Sequence, residues 1–216
     1  MSIERKNIIA AIKEVQKNSK KRNFTQSIEL VVNLREIDMK SPEGRIRERI
    51  ELPYAIHEKP NKICVIATGE RALKAKRAKA DLVIGRSELM ELGGKKKELR
   101  NIANLYDFFL AEAPLMPSVG KILGPVLGPR GKMPEPVPPS VDITETIKKH
   151  RKMVSIRTRN QPLLQCSVGT ETMKEEEVAE NVQAVLISVQ RKLKKGLKNI
   201  RNIYLKTSMG PSVKVT

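Results

Sequence analysis

A run of prolines and glycines in the second half of the chain places the strongest constraint on its fold. The stretch from 123 to 139 reads LGPVLGPRGKMPEPVPP and holds six of the thirteen prolines and three of the twelve glycines. Neither a helix nor a central strand is expected to run through so many prolines, because proline lacks the backbone N–H that both structures use. The sequence therefore predicts a rigid, exposed loop over this stretch.

At the centre of this stretch, Gly131 lies between Arg130 and Lys132. A glycine flanked by two cations lets backbone and positive charge approach an anion together. The stretch is therefore either a simple connecting loop or a contact for phosphate. It is not a P-loop, because that motif needs a glycine where Val126 stands and a serine or threonine where Met133 stands. We therefore reject a nucleoside-triphosphatase activity.

The charge of the chain indicates a polyanionic partner. Its 216 residues contain 42 lysines and arginines against 24 aspartates and glutamates, which gives a formal net charge of +18. No apolar run approaches the roughly 20 residues that cross a bilayer, and the N-terminal MSIERKNIIA lacks an apolar secretory segment. We therefore expect a cytoplasmic protein that binds a nucleic acid and no membrane.

The cysteines and histidines predict no metal site. Cys64 and Cys166 both lie in apolar, strand-like runs, where a buried free thiol is expected rather than a disulfide or a redox pair. His57 and His150 are the only histidines, and they do not form a metal-ligand pattern with the cysteines. We expect neither a metal nor a cofactor.

The periodicity of the apolar residues changes once in the first part of the chain. Residues 1–20 are predicted to form a helix capped by Ser2, because Ile8, Ile12 and Val15 fall on one face at helical spacing. From residue 27 the pattern alternates, which predicts a strand with an apolar and a half-polar face. The apolar face comprises Ile28, Leu30, Val32 and Leu34, and the half-polar face comprises Ser27, Glu29, Val31 and Asn33. The half-polar face is available to a partner.

Arginines alternate with other residues after a predicted loop at 41–44. Arg45, Arg47 and Arg49 share one face of a predicted strand over 45–52. A charged strand face of this kind is usually solvated and keeps a protein soluble. The sequence alone assigns it no partner.

The middle of the chain alternates between short apolar runs and helical stretches. Strands are predicted over 62–67, 81–85 and 107–111, and helices over 69–80, 87–105 and 141–150. This order argues for a small parallel sheet covered by helices. Its first turn, Thr68-Gly69-Glu70, lacks the G-x-G-x-x-G of dinucleotide-binding proteins, so an enzyme that uses a nicotinamide or flavin receives little support.

Alternation returns after residue 152. Residues 153–159 and 163–168 are predicted to form a hairpin, followed by a helix over 173–195 and a strand over 200–205. We therefore predict an α/β protein with two domains, joined by two connections that act as a hinge. The first is a discontinuous α+β domain with an antiparallel sheet, residues 1–67 and 154–216, and the second is an inserted Rossmann-like domain, residues 68–153, with a parallel sheet.

Three stretches resemble one protein family. They are Leu127-Gly-Pro-Arg-Gly-Lys-Met-Pro134, which Val119-Gly-Lys-Ile-Leu123 precedes, Asn23-Phe-Thr-Gln-Ser-Ile-Glu29 and Thr207-Ser-Met-Gly-Pro-Ser212. They resemble the signatures of the L-one family, the first-numbered proteins of the large ribosomal subunit. The lengths and spacings of these stretches are similar to those of the family from end to end of the chain. The form of the sequence resembles that of the archaeal members.

The resemblance implies a structural protein of the ribosome and not an enzyme. It implies binding to the large-subunit rRNA at the mobile stalk near the tRNA exit site, with release of deacylated exit-site tRNA and repression of translation through the protein's own mRNA. Its partners would also include other ribosomal components, and the free protein would be a monomer.

The same resemblance implies the residues that contact RNA. The primary set comprises Phe24, Ser27, Glu29, Thr207, Ser208, Met209, Gly210, Pro211 and Ser212. A secondary contact from the inserted domain comprises Lys121, Arg130, Gly131 and Lys132. Ser208 departs from the family, since many members have threonine there. For Phe24, packing in the core is an equal alternative.

Aromatic residues make up only 3% of the chain. Domains that read single-stranded RNA by stacking need a row of aromatics on a sheet, so we expect recognition of the shape of a folded RNA instead. The remaining alternative is a general DNA-binding or chromatin protein, which the net charge would allow.

Overall fold

The computed structural model describes residues 4–41 and 44–215 and divides the chain into two compact units. The first, here the split unit, is formed by residues 1–59 and 152–216, and the second, here the inserted unit, by residues 60–151. The sequence-based boundary at 67/68 is wrong, because strand Ile63–Ile66 pairs within the sheet of the inserted unit. The predicted boundary separated the first strand of this parallel sheet from the other strands, because that strand begins only three residues after the inserted unit starts at Pro60.

The elements are numbered in chain order. They are α1 (Arg5–Asn18), β1 (Ser27–Leu34), β2 (Arg47–Glu51), β3 (Ile63–Ile66), α2 (Gly69–Arg77), β4 (Leu82–Ile84), α3 (Arg86–Glu91), α4 (Lys96–Leu105), β5 (Phe108–Glu112), α5 (Met116–Ile122), α6 (Gly124–Arg130), β6 (Glu135–Val137), α7 (Ile143–Arg151), β7 (Met153–Arg157), β8 (Leu163–Thr170), α8 (Glu175–Lys192), β9 (Ile200–Thr207) and β10 (Ser212–Lys214). Together they give the predicted α/β class.

The split unit is built on an antiparallel sheet in the order β10-β9-β1-β8. Strand β1 lies at its centre, and its two neighbours come from the C-terminal part of the chain. The core joins α1 and α8 to the apolar face of this sheet. Ile28 and Leu30 are fully buried in that core, while the alternate residues of β1, on its other face, are half-exposed. The predicted two faces of β1 are therefore confirmed.

Helix α1 agrees with its predicted periodicity. Ile8, Ile12 and Val15 are fully buried against the sheet. The described helix begins at Arg5, and the predicted cap Ser2 lies outside the described residues.

Strands β2 and β7 pair with each other as a separate antiparallel ribbon. The predicted hairpin between 153–159 and 163–168 is therefore wrong, because β7 pairs with β2 and β8 pairs with β1. An alternating pattern identifies a strand and its buried face, but it does not identify the partner strand.

The inserted unit has a parallel sheet in the order β4-β3-β5-β6, covered by helices. Its core contains fully buried side chains from the sheet and the helices, among them Phe109, Leu123 and Leu127. The helix predicted over 87–105 is two helices, α3 and α4. The break between them, residues 92–95, contains Gly94, whose φ of 91° is a conformation that a helix does not contain.

The prediction of an exposed loop over 123–139 is wrong, since helix α6 and strand β6 occupy much of it. Pro125 lies in the first turn of α6, where its missing N–H costs nothing. Pro136 lies in β6, an edge strand, which tolerates proline. Gly131 ends α6 with a φ of 73°, and the Lys132 N–H donates to the Leu127 carbonyl at 3.0 Å, so the glycine serves as a helix C-cap.

Both cysteines are buried free thiols, as predicted. Burial raises the pKa of the Cys64 thiol far above its usual range and that of Cys166 to about 12. Within residues 4–41 and 44–215, no helix is long and apolar enough to cross a membrane, and no group of three or more acidic, histidine or cysteine side chains could hold a metal ion.

Candidate nucleic-acid interface

The two ends of the chain meet at one edge of the split unit. Strand β1 begins at Ser27, next to the point where β9 ends at Thr207. The Ser208 N–H donates to the Ser27 carbonyl at 3.0 Å, and the Ser27 N–H donates to Ser208 Oγ at 3.1 Å. The structure thus brings together two of the sequence motifs, 23–29 and 207–212, although about 180 residues separate them. The Ser208 hydroxyl completes this junction, so its function here does not need the methyl group of threonine.

Below this junction, the fully buried side chain of Gln26 joins three segments of the chain. Its Nε2 donates to Ser19 Oγ at 2.8 Å, to the Lys20 carbonyl at 3.1 Å and to Glu171 Oε2 at 3.2 Å. Its Oε1 accepts the Met209 N–H at 3.2 Å. A buried amide with partners on all sides holds the 207–210 turn in one position.

Glu171 completes this support from the end of β8. Its Oε1 accepts the Gln26 N–H at 3.0 Å, and its own N–H donates to the Gln26 carbonyl at 3.0 Å. Its carbonyl also accepts Gln16 Nε2 from α1 at 3.3 Å. The turn therefore rests on both α1 and β8, and its backbone is preorganised before any ligand arrives.

Gly210 is required by the close packing of this turn. A Cβ atom added at Gly210 would lie 2.3 Å from Thr207 Oγ1, well inside any real contact distance. Thr207 is fully buried, and its Oγ1 shares a hydrogen bond of 3.0 Å with Ser19 Oγ. Thr207 and Gly210 thus shape the turn from within, while Met209 between them points outward.

The outer surface of this site presents both apolar and polar groups. Met209 is 62% exposed and Phe24 is 50% exposed, two of the most exposed large apolar side chains of the described residues. Pro211 and Ser212 are exposed beside them. The exposure of Phe24 decides against its packing in the core. An apolar surface next to hydroxyl groups and backbone amides can contact the sugar and base edges of a folded RNA.

Lys59 adds positive charge at the same place. Its Nζ donates to Ser27 Oγ at 3.0 Å and lies 5.8 Å from the centroid of the Phe24 ring. A cation over an aromatic face holds that ring in position by a weak attraction. The exposed Lys20, Lys21 and Arg22 follow α1 near this edge. The site is therefore cationic around a polar centre.

Glu29 lies on the half-exposed face of β1, two residues from Ser27. Its Oε2 accepts Gln165 Nε2 from β8 at 2.8 Å. A carboxylate has further acceptor positions, so Glu29 is able to accept a ribose hydroxyl or a base amino group as well. Gln165 fixes the direction in which it does so.

The proposed secondary contact lies in the inserted unit, on α5, α6 and the residue after its cap. Lys121 is exposed, whereas Arg130 donates from Nη1 to the Val126 carbonyl at 3.2 Å. The Lys132 Nζ donates to the carbonyls of Ala103 at 3.0 Å and Tyr106 at 2.6 Å. Burial lowers the pKa of Lys132, while Asp107 opposes that shift. Lys132 would have to release two carbonyls to reach a phosphate.

Sequence reasoning missed the residues that support the site, namely Ser19, Gln26, Lys59 and Glu171. One signal was present for Gln26, which has the same parity as Ile28 and Leu30 and therefore belongs to the core-facing side of β1. A polar residue on an apolar face needs buried partners. Glu171 and Ser19 carry no comparable pattern, because their function depends on tertiary contacts.

Comparison with known proteins gives a match over nearly the whole chain. The model of the Ribosomal protein L1p/L10e family matches residues 12–211. The large ribosomal subunit protein uL1 of Methanothermobacter thermautotrophicus is 47% identical over 208 residues, which cover 96% of this chain and 98% of that protein. The uL1 protein of Methanothermococcus thermolithotrophicus is 47% identical, and the match covers 99% of this chain and 99% of that protein. The uL1 protein of Archaeoglobus fulgidus is 45% identical, and the match covers 100% of both chains.

Proposed function

This chain belongs to the ribosomal protein L1p/L10e family, and from that premise we propose that its split unit binds the large-subunit rRNA in the stalk region. The family is one of structural ribosomal proteins, so the chain is not an enzyme, and the predicted archaeal resemblance is confirmed. Its place is the large ribosomal subunit, as the names of its relatives state for those proteins.

One observation carries the proposal for the site. The motifs 23–29 and 207–212 lie far apart in the chain, yet they form one continuous surface at the junction of β1 and β9. Buried Gln26 and Thr207 fix that surface, while Phe24 and Met209 remain exposed on it. Exposed apolar groups held in place by a rigid, hydrogen-bonded support are what a contact surface for another molecule requires.

We propose that this surface reads the shape of the RNA. Phe24 and Tyr54 are the exposed aromatic rings among the described residues of the split unit, and the junction surface combines Phe24 with hydroxyls, the Glu29 carboxylate and Lys59. Such groups suit 2′-hydroxyls, base edges and phosphates in a folded RNA better than a row of stacked single-stranded bases. Ser208, Gly210, Pro211 and Ser212 complete the proposed contact.

The finer parts of the function extend this proposal. An mRNA segment folded like the rRNA site would bind the same surface, so repression of translation would require no further site. The contact from the inserted unit, through Lys121, Arg130, Gly131 and Lys132, would add affinity for the rRNA or for exit-site tRNA. Exposed Lys121 supports this contact most directly, because its charge is at the surface.

A salt titration of binding tests the main proposal. A stalk-like rRNA fragment and a duplex DNA of equal length are compared for the wild type, for Met209→Ala and for the control Met90→Ala, a methionine that is 49% exposed in the inserted unit. The wild type is expected to prefer the RNA by ~10³ or more, as specific sites commonly do. Met209→Ala should lower RNA affinity by roughly 10-fold, since a buried methionine side chain contributes about 1.5–3 kcal/mol, and leave DNA affinity unchanged.

The control should bind both ligands like the wild type. Equal affinity of the wild type for RNA and DNA, with a steep salt dependence, would mean that only a basic surface is present. Equal effects of Met209→Ala and Met90→Ala would place the specific contact elsewhere on the molecule.

A further inference from the structure

We propose that the outer face of the β2–β7 ribbon is a second RNA contact of the split unit, in which arginines bind backbone phosphates beyond the β1–β9 junction. This inference rests on the proposed RNA-binding function and adds a site to it. The surface is here called the arginine face, and it comprises Arg45, Arg47, Arg49, Arg157 and Arg159.

The register of the ribbon brings these arginines together. The Cα of Arg47 lies directly opposite that of Arg157, and Arg49 lies opposite Ser155. Residues of the other parity, Ile50 and Ile156, are buried in the core. Since side chains alternate between the two faces of a strand, the arginines all belong to the outer face. The sequence showed three of them on one strand, and the structure adds two from a strand over 100 residues later.

The pairing of Arg47 with Arg157 places like charges side by side. Like charges directly opposite each other in an antiparallel pair are unfavourable. Burial lowers the pKa of Arg157 most, and the charges of Arg159 and Arg47 lower it further. Exposed Glu51 lies on the same face at the other end of β2, opposite Met153, so the positive charge is concentrated around Arg47 and Arg157.

The ribbon is held rigidly at both ends. The Thr158 N–H donates to the Ile46 carbonyl at 2.9 Å, and the Thr158 hydroxyl donates to the Gly44 carbonyl at 2.6 Å. At the other end, the Leu52 N–H donates to the Lys152 carbonyl at 2.9 Å. The backbone that carries the arginine face is therefore held by hydrogen bonds at both ends of the ribbon.

Its inner face is tied to the core of the split unit. Lys192 Nζ, at the end of α8, lies 2.6 Å from Glu48 Oε1 on β2. This ion pair neutralises the acidic residue in the middle of β2 on the side away from the arginines. The positive potential of the outer face is thereby kept separate from Glu48.

Phosphate is the ligand chemistry that suits this array. The guanidinium group is planar and always charged, and it binds phosphate oxygens through two parallel hydrogen bonds. RNA is the polyanion that the proposed function already supplies, so the same molecule would occupy both sites. An acidic protein is the alternative partner, and the experiment below separates the two.

The position of the ribbon defines how the two contacts divide the RNA. The Leu34 N–H, at the end of β1, donates to the Pro162 carbonyl at 2.8 Å, just beyond Arg159. The β1–β9 junction lies at the opposite end of β1, at Ser27. The eight residues of β1 span about 23 Å at roughly 3.3 Å per residue. The arginine face thus belongs to the far end of the sheet, and its contact involves phosphates outside the first site.

The test uses the full chain and two variants with equal charge. In the first, Arg47→Gln and Arg157→Gln are combined; in the control, Lys6→Gln and Arg191→Gln remove two exposed cations from α1 and α8. Binding to the stalk-like rRNA fragment is measured against salt concentration. Each lost phosphate contact lowers the slope of log affinity against log salt by about 1. The first variant should therefore lose about 2 from the slope and roughly 10- to 100-fold in affinity.

The control variant should lose less than roughly 0.5 from the slope, because its cations contact no phosphate in this proposal. The variant Arg47→Lys with Arg157→Lys keeps the charge and should retain most of the slope while losing the two-pronged hydrogen bonds. Thermal unfolding of the glutamine variant checks that the split unit stays folded at the temperature of the binding measurement.

The result also separates this inference from the proposed function. Arg47→Gln with Arg157→Gln should weaken RNA and DNA binding alike, so the preference for RNA stays, whereas Met209→Ala should reduce that preference. If the glutamine variant has the slope of the control while Met209→Ala still reduces the preference, the arginine face does not bind RNA, and an acidic protein or the solvent faces it. If neither variant changes RNA binding, both proposed contact surfaces are wrong, and the RNA binds elsewhere on the molecule.

Discussion

Gly210→Ala should damage both the stability of the split unit and its affinity for RNA. The added Cβ would lie 2.3 Å from Thr207 Oγ1, so that oxygen must move by about 1 Å to reach an ordinary contact. Thr207 is fully buried and shares a hydrogen bond with Ser19, so the movement breaks that bond. We expect roughly 0.5–1.5 kcal/mol from the lost hydrogen bond and about 1–3 kcal/mol from overpacking.

These terms predict a loss of about 2–4 kcal/mol in the free energy of unfolding of the split unit. For a chain of this size, 1 kcal/mol corresponds to roughly 2–4 °C, so the melting temperature of that unit should fall by about 5–15 °C. Calorimetry measures this change, and filter binding measures the loss of RNA affinity, expected to be at least roughly 10-fold since 1.4 kcal/mol is tenfold.

The control is Gly120→Ala in α5, where an added Cβ has no heavy atom of the described residues within 4 Å. Alanine in a helix should stabilise the inserted unit by about 0.5–1 kcal/mol. Combining Gly210→Ala with Thr207→Ala removes the clashing oxygen, so the double variant should lose less than the two single variants together. If Gly210→Ala melts and binds RNA like the wild type, the Thr207–Ser19 contact does not fix the turn, and the reasoning fails.

Three further predictions concern other parts of the molecule. Gln26→Ala should lower the unfolding free energy measured in urea by about 2–4 kcal/mol, because it leaves the buried partners of Gln26 unpaired. As a control, replacing the exposed Gln165 with alanine should lower it by less than about 1 kcal/mol. Equal losses in the two variants would contradict the supporting role of Gln26. Lys132→Met should lower the melting temperature of the inserted unit, whereas the exposed Lys121→Met should not. Burial holds the pKa of Lys132 below 10.5, so the unfolded state binds more protons than the folded state just below that pH. The stability of the wild type should therefore rise as the pH increases toward 10.5. A rise of equal size in Lys132→Met would show that another group causes the pH dependence. Burial raises the pKa of both thiols, so a thiol reagent at pH 8 should react with neither cysteine in the native protein and with both in guanidinium chloride; rapid reaction of one native thiol would show that its strand opens.

Periodicity predicted the elements whose burial decides their structure. The apolar residues of α1 and β1 have one partner, the core, so their spacing alone indicated which face would be buried. The motifs 23–29 and 207–212 were identified by resemblance, and their meeting at Ser27 and Ser208 became visible only in the structure.

The failures have specific physical causes. The 123–139 stretch was taken for a loop because prolines were counted without their positions, yet Pro125 lies in a first helical turn and Pro136 in an edge strand. The hairpin between β7 and β8 was wrong because alternation carries no information about pairing. The Gln26 network and the pairing of Arg47 with Arg157 depend on the register of distant strands, which no local pattern specifies.

The central position of β1 determines when the proposed RNA-binding surface can form during synthesis of the chain. The Glu29 carboxylate accepts a hydrogen bond from Gln165, which lies 136 residues later in the chain. A ribosome that adds about 5–20 residues per second needs roughly 7–27 s to supply that partner. The inserted unit is complete at residue 151 and can fold first, while β1 waits. Thr207 and Met209 are synthesised later still, and an interrupted chain without them has no assembled junction. Under the proposed function, an incomplete chain therefore lacks the RNA-binding surface of the finished protein.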